Sequence, residues 1–211
     1  MARTDIRRPS PDSSHNHGSA HLTGDGKQIR GNSSEKLKAL AHTIFFHFID
    51  AKGKSFGADV GRRLKFTEIN ISGFEDSALS GDSGLGLGKK RQSGNKVSVE
   101  TVFEMMVDRD MCNVHGTLHG GCAAYLVDPC SSAPLVVLGL LLELDGTGVS
   151  QSMNLIWHRP VHTGAKITIK STSMYITGKV RTARCEIWTG NKLCVSAIHS
   201  TINPREPKAK L

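Results

Sequence analysis

The chain has 211 residues, of which 38% are hydrophobic and 22% charged, and its net charge is +8. That length fits one domain of ordinary size with tails, large enough to bury a core without disulfide or metal staples. The dense basic run is confined to Lys89-Lys90-Arg91, which argues against a nucleic-acid surface and suits an anionic small ligand or a mildly basic face.

Residues 1–32 are rich in Ser, Gly, His, Asp and Pro and read as a disordered tail. They hold no apolar run of the secretory type. Arg3, Arg7 and Arg8 would suit a mitochondrial presequence, but Asp5, Pro9, Pro11 and Asp12 spoil an amphipathic helix. Ser33 or Ser34 can cap a helix whose apolar stripe is Leu37, Leu40, Ala41, Ile44, Phe45 and Phe48. Residues 62–73 read as a strand, and 75–95 as a flexible Gly/Ser/charged insert. Gly88-Lys89 invites a phosphate-loop reading that fails, because Ser83 stands where the first glycine is needed and Lys90 where Ser or Thr is needed.

Residues 96–108 alternate, with Val97, Val99, Thr101, Phe103, Met105 and Val107 on one face of a strand. An uncharged run from His119 to Leu142 follows, with Asp128 as its only acid. It is long enough to cross a bilayer, but Asp128, Pro129, Ser131, Ser132 and Pro134 sit in its middle, and an acid at mid-bilayer costs about 3 kcal/mol. It reads instead as a helix enclosed by protein. Strands are expected near 148–158, 165–177, 180–189 and 192–202, with turns at Thr177-Gly178-Lys179 and Gly190-Asn191. The predicted class is α+β: one domain over 33–203, a curved antiparallel sheet wrapped around a long central helix, followed by a tail over 204–211. Five cysteines (Cys112, Cys122, Cys130, Cys185, Cys194) make an odd set with no CxxC pair, as expected for free thiols in a reducing compartment.

The chemistry concentrates in Asn113-Val114-His115-Gly116-Thr117-Leu118-His119-Gly120-Gly121 and the Asp128 that follows. Glycines at a helix start let a ligand approach the backbone, and the first amides of a helix have no internal partner, so the turn can hold a carbonyl as it becomes an oxyanion. A helix start with glycines for tight packing would look the same. Asp128 adds weight, because a lone carboxylate in an apolar run is costly unless it is satisfied or functional, and an apolar surround would strengthen it as a base. His119 and Asp128 are nine residues apart and point to nearly opposite sides of one helix, so a twofold pair of chains is the simpler way to bring them together, unless His119 lies just before the helix.

From Lys96 to Asn203 the chain resembles the hotdog-fold thioesterase superfamily, in its PaaI-like branch. The matching pieces are Asn113, Gly116 to Gly121, Leu126-Val127-Asp128, and Gly148-Val149-Ser150 with Met153-Asn154. The resemblance implies a helix wrapped by an antiparallel sheet, a homodimer or homotetramer, and hydrolysis of acyl-CoA thioesters without metal or cofactor. It implies that Asp128 activates water or attacks directly, that Ser150 places the water, that the Gly120 amide polarises the carbonyl, and that Asn113 and His119 line the same pocket, with Gly121 beside them. Pro129 departs from the family pattern, since it removes an amide and can kink the helix or free the Tyr125 carbonyl. Arg159, Lys166, Lys170 and Arg184 could each meet CoA phosphates, with a solvated strand face the commoner role for any one of them; Arg159, with Gly121, is the substrate-binding candidate. His115 and His158 have no partner at metal-ligand spacing, Cys122 and Cys130 read as packing thiols, and Trp157 and Trp188 as core or interface residues.

Two other functions fit the same pattern: a hydratase or dehydratase acting on acyl thioesters, and a non-catalytic acyl-CoA binder. The final Ala209-Lys210-Leu211 resembles the Ser-Lys-Leu peroxisomal signal, with a small residue, a cation and a bulky apolar end. The expected address is therefore the peroxisome matrix, reached through the import receptor, with cytoplasm or mitochondrion as alternatives.

Overall fold

The computed structural model describes residues 28–50, 53, 55–73, 97–177 and 179–203. Most of the expected N-terminal tail, the 75–95 insert and the Ala209-Lys210-Leu211 end lie outside these residues.

Helix α1 spans Glu35–Asp50. The Ser34 hydroxyl accepts from the Leu37 amide at 3.3 Å, the capping role its short oxygen-bearing side chain favours. Leu37, Ala41, Phe45 and Ile49 form the buried ladder at helical spacing. Phe45 reaches the start of the sheet, its ring centroid 4.5 Å from that of Phe103, which in turn stacks at 4.3 Å on Phe66. Such a trio of buried rings fastens α1 to the sheet; truncating Phe103 would cost about 3–5 kcal/mol. Phe48, expected on the same stripe, is 60% exposed.

A short helix α2, Ala58–Gly61, follows. It was not legible in the sequence, and its end delays strand β1 to Lys65–Ser72 instead of 62–73. Residues 28–32, assigned to the tail by composition, are instead held against β1. Ile29 is buried, the Arg30 amide donates to the Thr67 carbonyl at 3.0 Å, and the Asn32 carboxamide pairs with both backbone groups of Ile71. One apolar anchor and one side chain mimicking a strand outweigh the polar composition around them.

The remaining strands are β2 (Ser98–Met106), β3 (Val149–Trp157), β4 (Lys166–Thr177), β5 (Val180–Thr189) and β6 (Lys192–Ile202). They form one antiparallel sheet in the order β1-β2-β4-β5-β6-β3. The inner face of β2 carries the expected alternation, with Val99, Thr101, Phe103, Met105 and Val107 all buried. Helix α3, Gly120–Leu142, lies across the concave face against β2, β4, β5 and β6. It runs unbroken through Pro129 and Pro134, because packing of its buried side holds the turns from which the prolines remove hydrogen bonds. It is not enclosed all round. One stripe, Gly121, Tyr125, Asp128, Ser132 and Val136, faces a cavity between α3 and α1.

Candidate active site

Asp128 projects from the open stripe of α3 onto the start of β3. Its Oδ1 accepts from the Ser150 hydroxyl at 3.0 Å. Ser150 Oγ is also 3.0 Å from Nε2 of His199, and His199 Nδ1 is 2.6 Å from Ser131 Oγ. A carboxylate only accepts, so the Ser150 proton points to Asp128 and its oxygen must accept from Nε2–H. That fixes Nδ1 as an acceptor and Ser131 as its donor, giving a directed chain from Ser131 through His199 and Ser150 to Asp128. The Asp128 carbonyl keeps the Ser132 hydroxyl as donor, at 3.0 Å.

His199 is fully buried on the inner face of β6, opposite Met153 of β3. Burial pushes its pKa below the ordinary imidazole value, partly opposed by the Asp128 carboxylate 3.6 Å away, so the neutral ring that the chain requires is favoured. No motif pointed to His199. Its one signal was the inward phase of β6, which Val195, Ala197 and Thr201 share with it. The carboxylate itself is not sealed in an apolar surround, as expected from the uncharged run. Its side chain is half exposed, because the open stripe of α3 carries it to the cavity rim.

Asn113, His119 and Gly120 gather elsewhere, at the beginning of α3. The Asn113 amide donates to the Thr117 carbonyl at 2.8 Å, and the side chain closes the same turn by donating from Nδ2 to Thr117 Oγ1 at 2.9 Å. Gly116, with φ +73°, supplies the left-handed residue this turn needs. The second carboxamide N–H of Asn113 has no acceptor among the described residues. The turn is pinned from outside, since the His119 amide donates to Met111 and the Leu118 amide to Val161. Arg63 spans Asp108 and Asp110 beside it, and these carboxylates hold its guanidinium protonated.

His119 is the residue before the first turn of α3 and not part of it; its Nδ1 accepts from the Gly121 amide at 3.0 Å. Gly121 is thereby occupied as a donor, although its Cα lines the cavity. Gly120, the first helical residue, keeps an amide with no intrahelical acceptor. Trp157 lies over it, its indole 3.7–3.8 Å from where a Cβ on Gly120 would stand. Arg159 is exposed just beyond β3 and donates to the Leu193 carbonyl at 2.9 Å. Lys166 pairs with Glu104 at 2.9 Å on the outer strand face.

His119 precedes the helix, so it and Asp128 do not stand on opposite faces of one helix; they are separated along its axis instead. Eight residues of helix from Gly120 to Asp128 span about 12 Å. A carbonyl lying within about 3 Å of both groups would not bridge that rise.

The cavity between α1 and α3 has a volume of about 540 Å³, within the 300–1,000 Å³ typical of small-ligand sites. Asp128 and Ser150 sit on its wall; Ile44, Phe45, Phe48 and Tyr125 make much of the rest apolar. Among the described residues no three His, Cys, Asp or Glu side chains converge as a metal site would require. Burial pushes the Cys122 thiol up to about 11 and Cys130 well above its usual value, so neither supplies a thiolate.

A family model described as "Thioesterase superfamily" matches residues 115–195. Acyl-coenzyme A thioesterase 13 of Homo sapiens is 39% identical over 70 residues, which cover 33% of this chain and 47% of that protein. Its Mus musculus counterpart is 38% identical over 68 residues, covering 32% and 46%. The chain spans about half the length of these curated relatives. The crystal structure of zebra fish thioesterase superfamily member 2 superposes with a TM-score of 0.55 at 21% identity, over 80% of this chain and 98% of that one, a likeness of fold. Residues 115–195 of this chain are thus similar to the thioesterase superfamily, and the domain that carries them is a hotdog fold.

Proposed function

We propose that this protein is an acyl-CoA thioesterase that hydrolyses its substrate to free acid and CoA. The observation that carries the reading is the Asp128 carboxylate, oriented by the Ser150 hydroxyl at 3.0 Å on the wall of an apolar cavity. Asp128 takes a proton from a water that Ser150 helps place, and the water oxygen attacks the thioester carbon. The carbonyl oxygen gains charge in front of the Gly120 amide, and Asn113 offers its spare N–H. The carbon–sulfur bond then breaks and the proton held by Asp128 passes to the departing thiolate. His119 orders the turn by holding the Gly121 amide, and Arg159 retains donors for a CoA phosphate.

The 12 Å separation supports a centre that takes Gly120 from one chain and Asp128 from another, with a homodimer as the working unit and a homotetramer as a further pairing. Strand β3 supports this. It is an edge of the sheet, with Val149, Ile156 and Trp157 exposed by 61%, 54% and 53%. An edge of that kind is a template for a second strand.

The address reading extends the proposal: with Leu211 as the C-terminus, Ala209-Lys210-Leu211 directs the enzyme to the peroxisome matrix. A fluorescent fusion leaving that end free should form puncta with a peroxisomal marker, and a diffuse or mitochondrial signal would refute it. For the activity, purified protein is given a panel of acyl-CoAs and free thiol is followed. Thiol release supports the reading; water added to a carbon–carbon double bond points to a hydratase, and binding without turnover to an acyl-CoA carrier.

A further inference from the structure

Tyr125 stands one turn before Asp128 on the same face of α3, so both side chains meet the same cavity. The far side of its ring fills a slot beneath α2. A Cβ on Gly57 would lie 2.4 Å from Tyr125 Cε2, and one on Gly61 would lie 2.5 Å from its hydroxyl oxygen. Gly57 also needs a left-handed φ of +69°, whereas at Gly61 a Cβ would meet the Tyr125 hydroxyl at 2.5 Å and the Ile49 side chain at 2.8–2.9 Å, so glycine there leaves room for both. Phe56 closes over the ring edge-on, at 5.8 Å and 75°.

The phenol does no visible polar work. Its hydroxyl is buried with no protein partner among the described residues. Burial pushes its pKa up to about 12, so it stays protonated and is no base. A buried hydroxyl without a partner is a cost, which a purely structural position would avoid by using phenylalanine or leucine. What the side chain does provide is bulk: the ring separates the cavity from the slot under α2.

We infer that Tyr125 is a specificity-determining residue, a stop that sets how long an apolar acyl chain the cavity accepts. The inference rests on the acyl-thioester reading. The chain enters past Asp128, runs between α1 and α3, and ends against the Tyr125 ring. Tyr125→Ala joins the slot to the cavity and admits a longer chain. Gly61→Ala crowds both Tyr125 and Ile49, which line the cavity together, and shortens the chain it accepts.

The test measures binding of non-hydrolysable thioether analogues of acyl-CoA carrying short to long alkyl chains, alongside kcat and KM for the matching thioesters. In the wild type, affinity should rise with chain length and then level off. In Tyr125→Ala the plateau should move to longer chains, with about fourfold tighter binding per newly buried methylene. In Gly61→Ala it should move to shorter chains, and in Tyr125→Phe it should stay. The expected split is a change in KM against chain length with kcat little altered. A plateau unmoved in both Tyr125→Ala and Gly61→Ala, with cooperative melting retained, overturns the inference, as does a Tyr125→Phe shift as large as that of Tyr125→Ala. If Tyr125→Ala fails to fold, Tyr125→Leu, which shortens the side chain but keeps it apolar, takes its place. Wild-type protein that shows the plateau but releases no thiol refutes hydrolysis and leaves the length assignment standing.

Discussion

The first turn of α3 and its third turn carry the two halves of the proposed site, and they are built in opposite ways. At the first turn the backbone is the working part. The Gly120 amide is presented by a tight turn that Asn113, Thr117 and His119 tie together through short local hydrogen bonds. At the third turn the side chains work, and their supports come from far away in sequence: Ser150 from β3 and His199 from β6, 22 and 71 residues beyond Asp128 (150 − 128 and 199 − 128). The local half closes its turn within a few residues, and Val161 and Thr163 then pin it from outside. The distant half exists only once the sheet has closed on the helix. A stable helix end thus meets a site wall whose geometry depends on the whole fold.

The largest effect should fall on the distant half. Asp128→Asn removes the proposed base, leaves an isosteric side chain for Ser150, and should lower kcat by about 10²-fold or more while binding of the thioether analogues survives. Near-normal turnover would remove Asp128 from the chemistry. Mixing His119→Ala with Asp128→Asn chains tests whether the halves meet across a dimer: one of the two centres in each mixed dimer has both wild-type groups, so part of the activity should return. No recovery, with subunit exchange demonstrated, would put each centre in one chain.

The His199 network makes the distant half sensitive to acid. Its folded-state pKa is lowered, so the unfolded chain binds the proton more readily and stability rises with pH through that window. The contribution is complete above about pH 6.5, the unfolded histidine value, and is lost as pH falls from there through the folded value. Half-buried His42, also lowered by burial, acts in the same direction. Melting temperature should therefore be flat above that point and fall below it, and His199→Gln should flatten the fall while weakening turnover. An unchanged slope would mean that His199 is not the titrating group. The smallest effect belongs to Tyr125→Phe. Removing an unpartnered buried hydroxyl should leave the melting temperature level or raise it by about 2–4 °C; a marked loss would reveal a partner for that oxygen.

Much of the fold was legible because period and punctuation agreed. The alternation of β2, the Gly190-Asn191 turn and the apolar run of α3 each had a local cause. The first-turn half of the site was legible for the same reason, since glycines after a histidine state their conformation locally. Phe48 misled because helical spacing gives a direction but not what stands opposite. Residues 28–32 misled because composition averages over an Ile29 and an Asn32 that act individually.

The sequence by itself determined the elements, the lone acid in an apolar helix and the glycine-led helix start, all of which are properties of neighbours within a few residues. Only the tertiary structure decided that His199 stands behind Ser150, that Asp128 is half exposed at a cavity rim, and that the Tyr125 ring fills the slot that Gly57 and Gly61 leave beside it. The reason is that these depend on sheet closure and register. A slip of one residue along β6 would turn His199 to the outer face and leave Ser150 without its partner, while changing nothing in the pattern from which β6 was read.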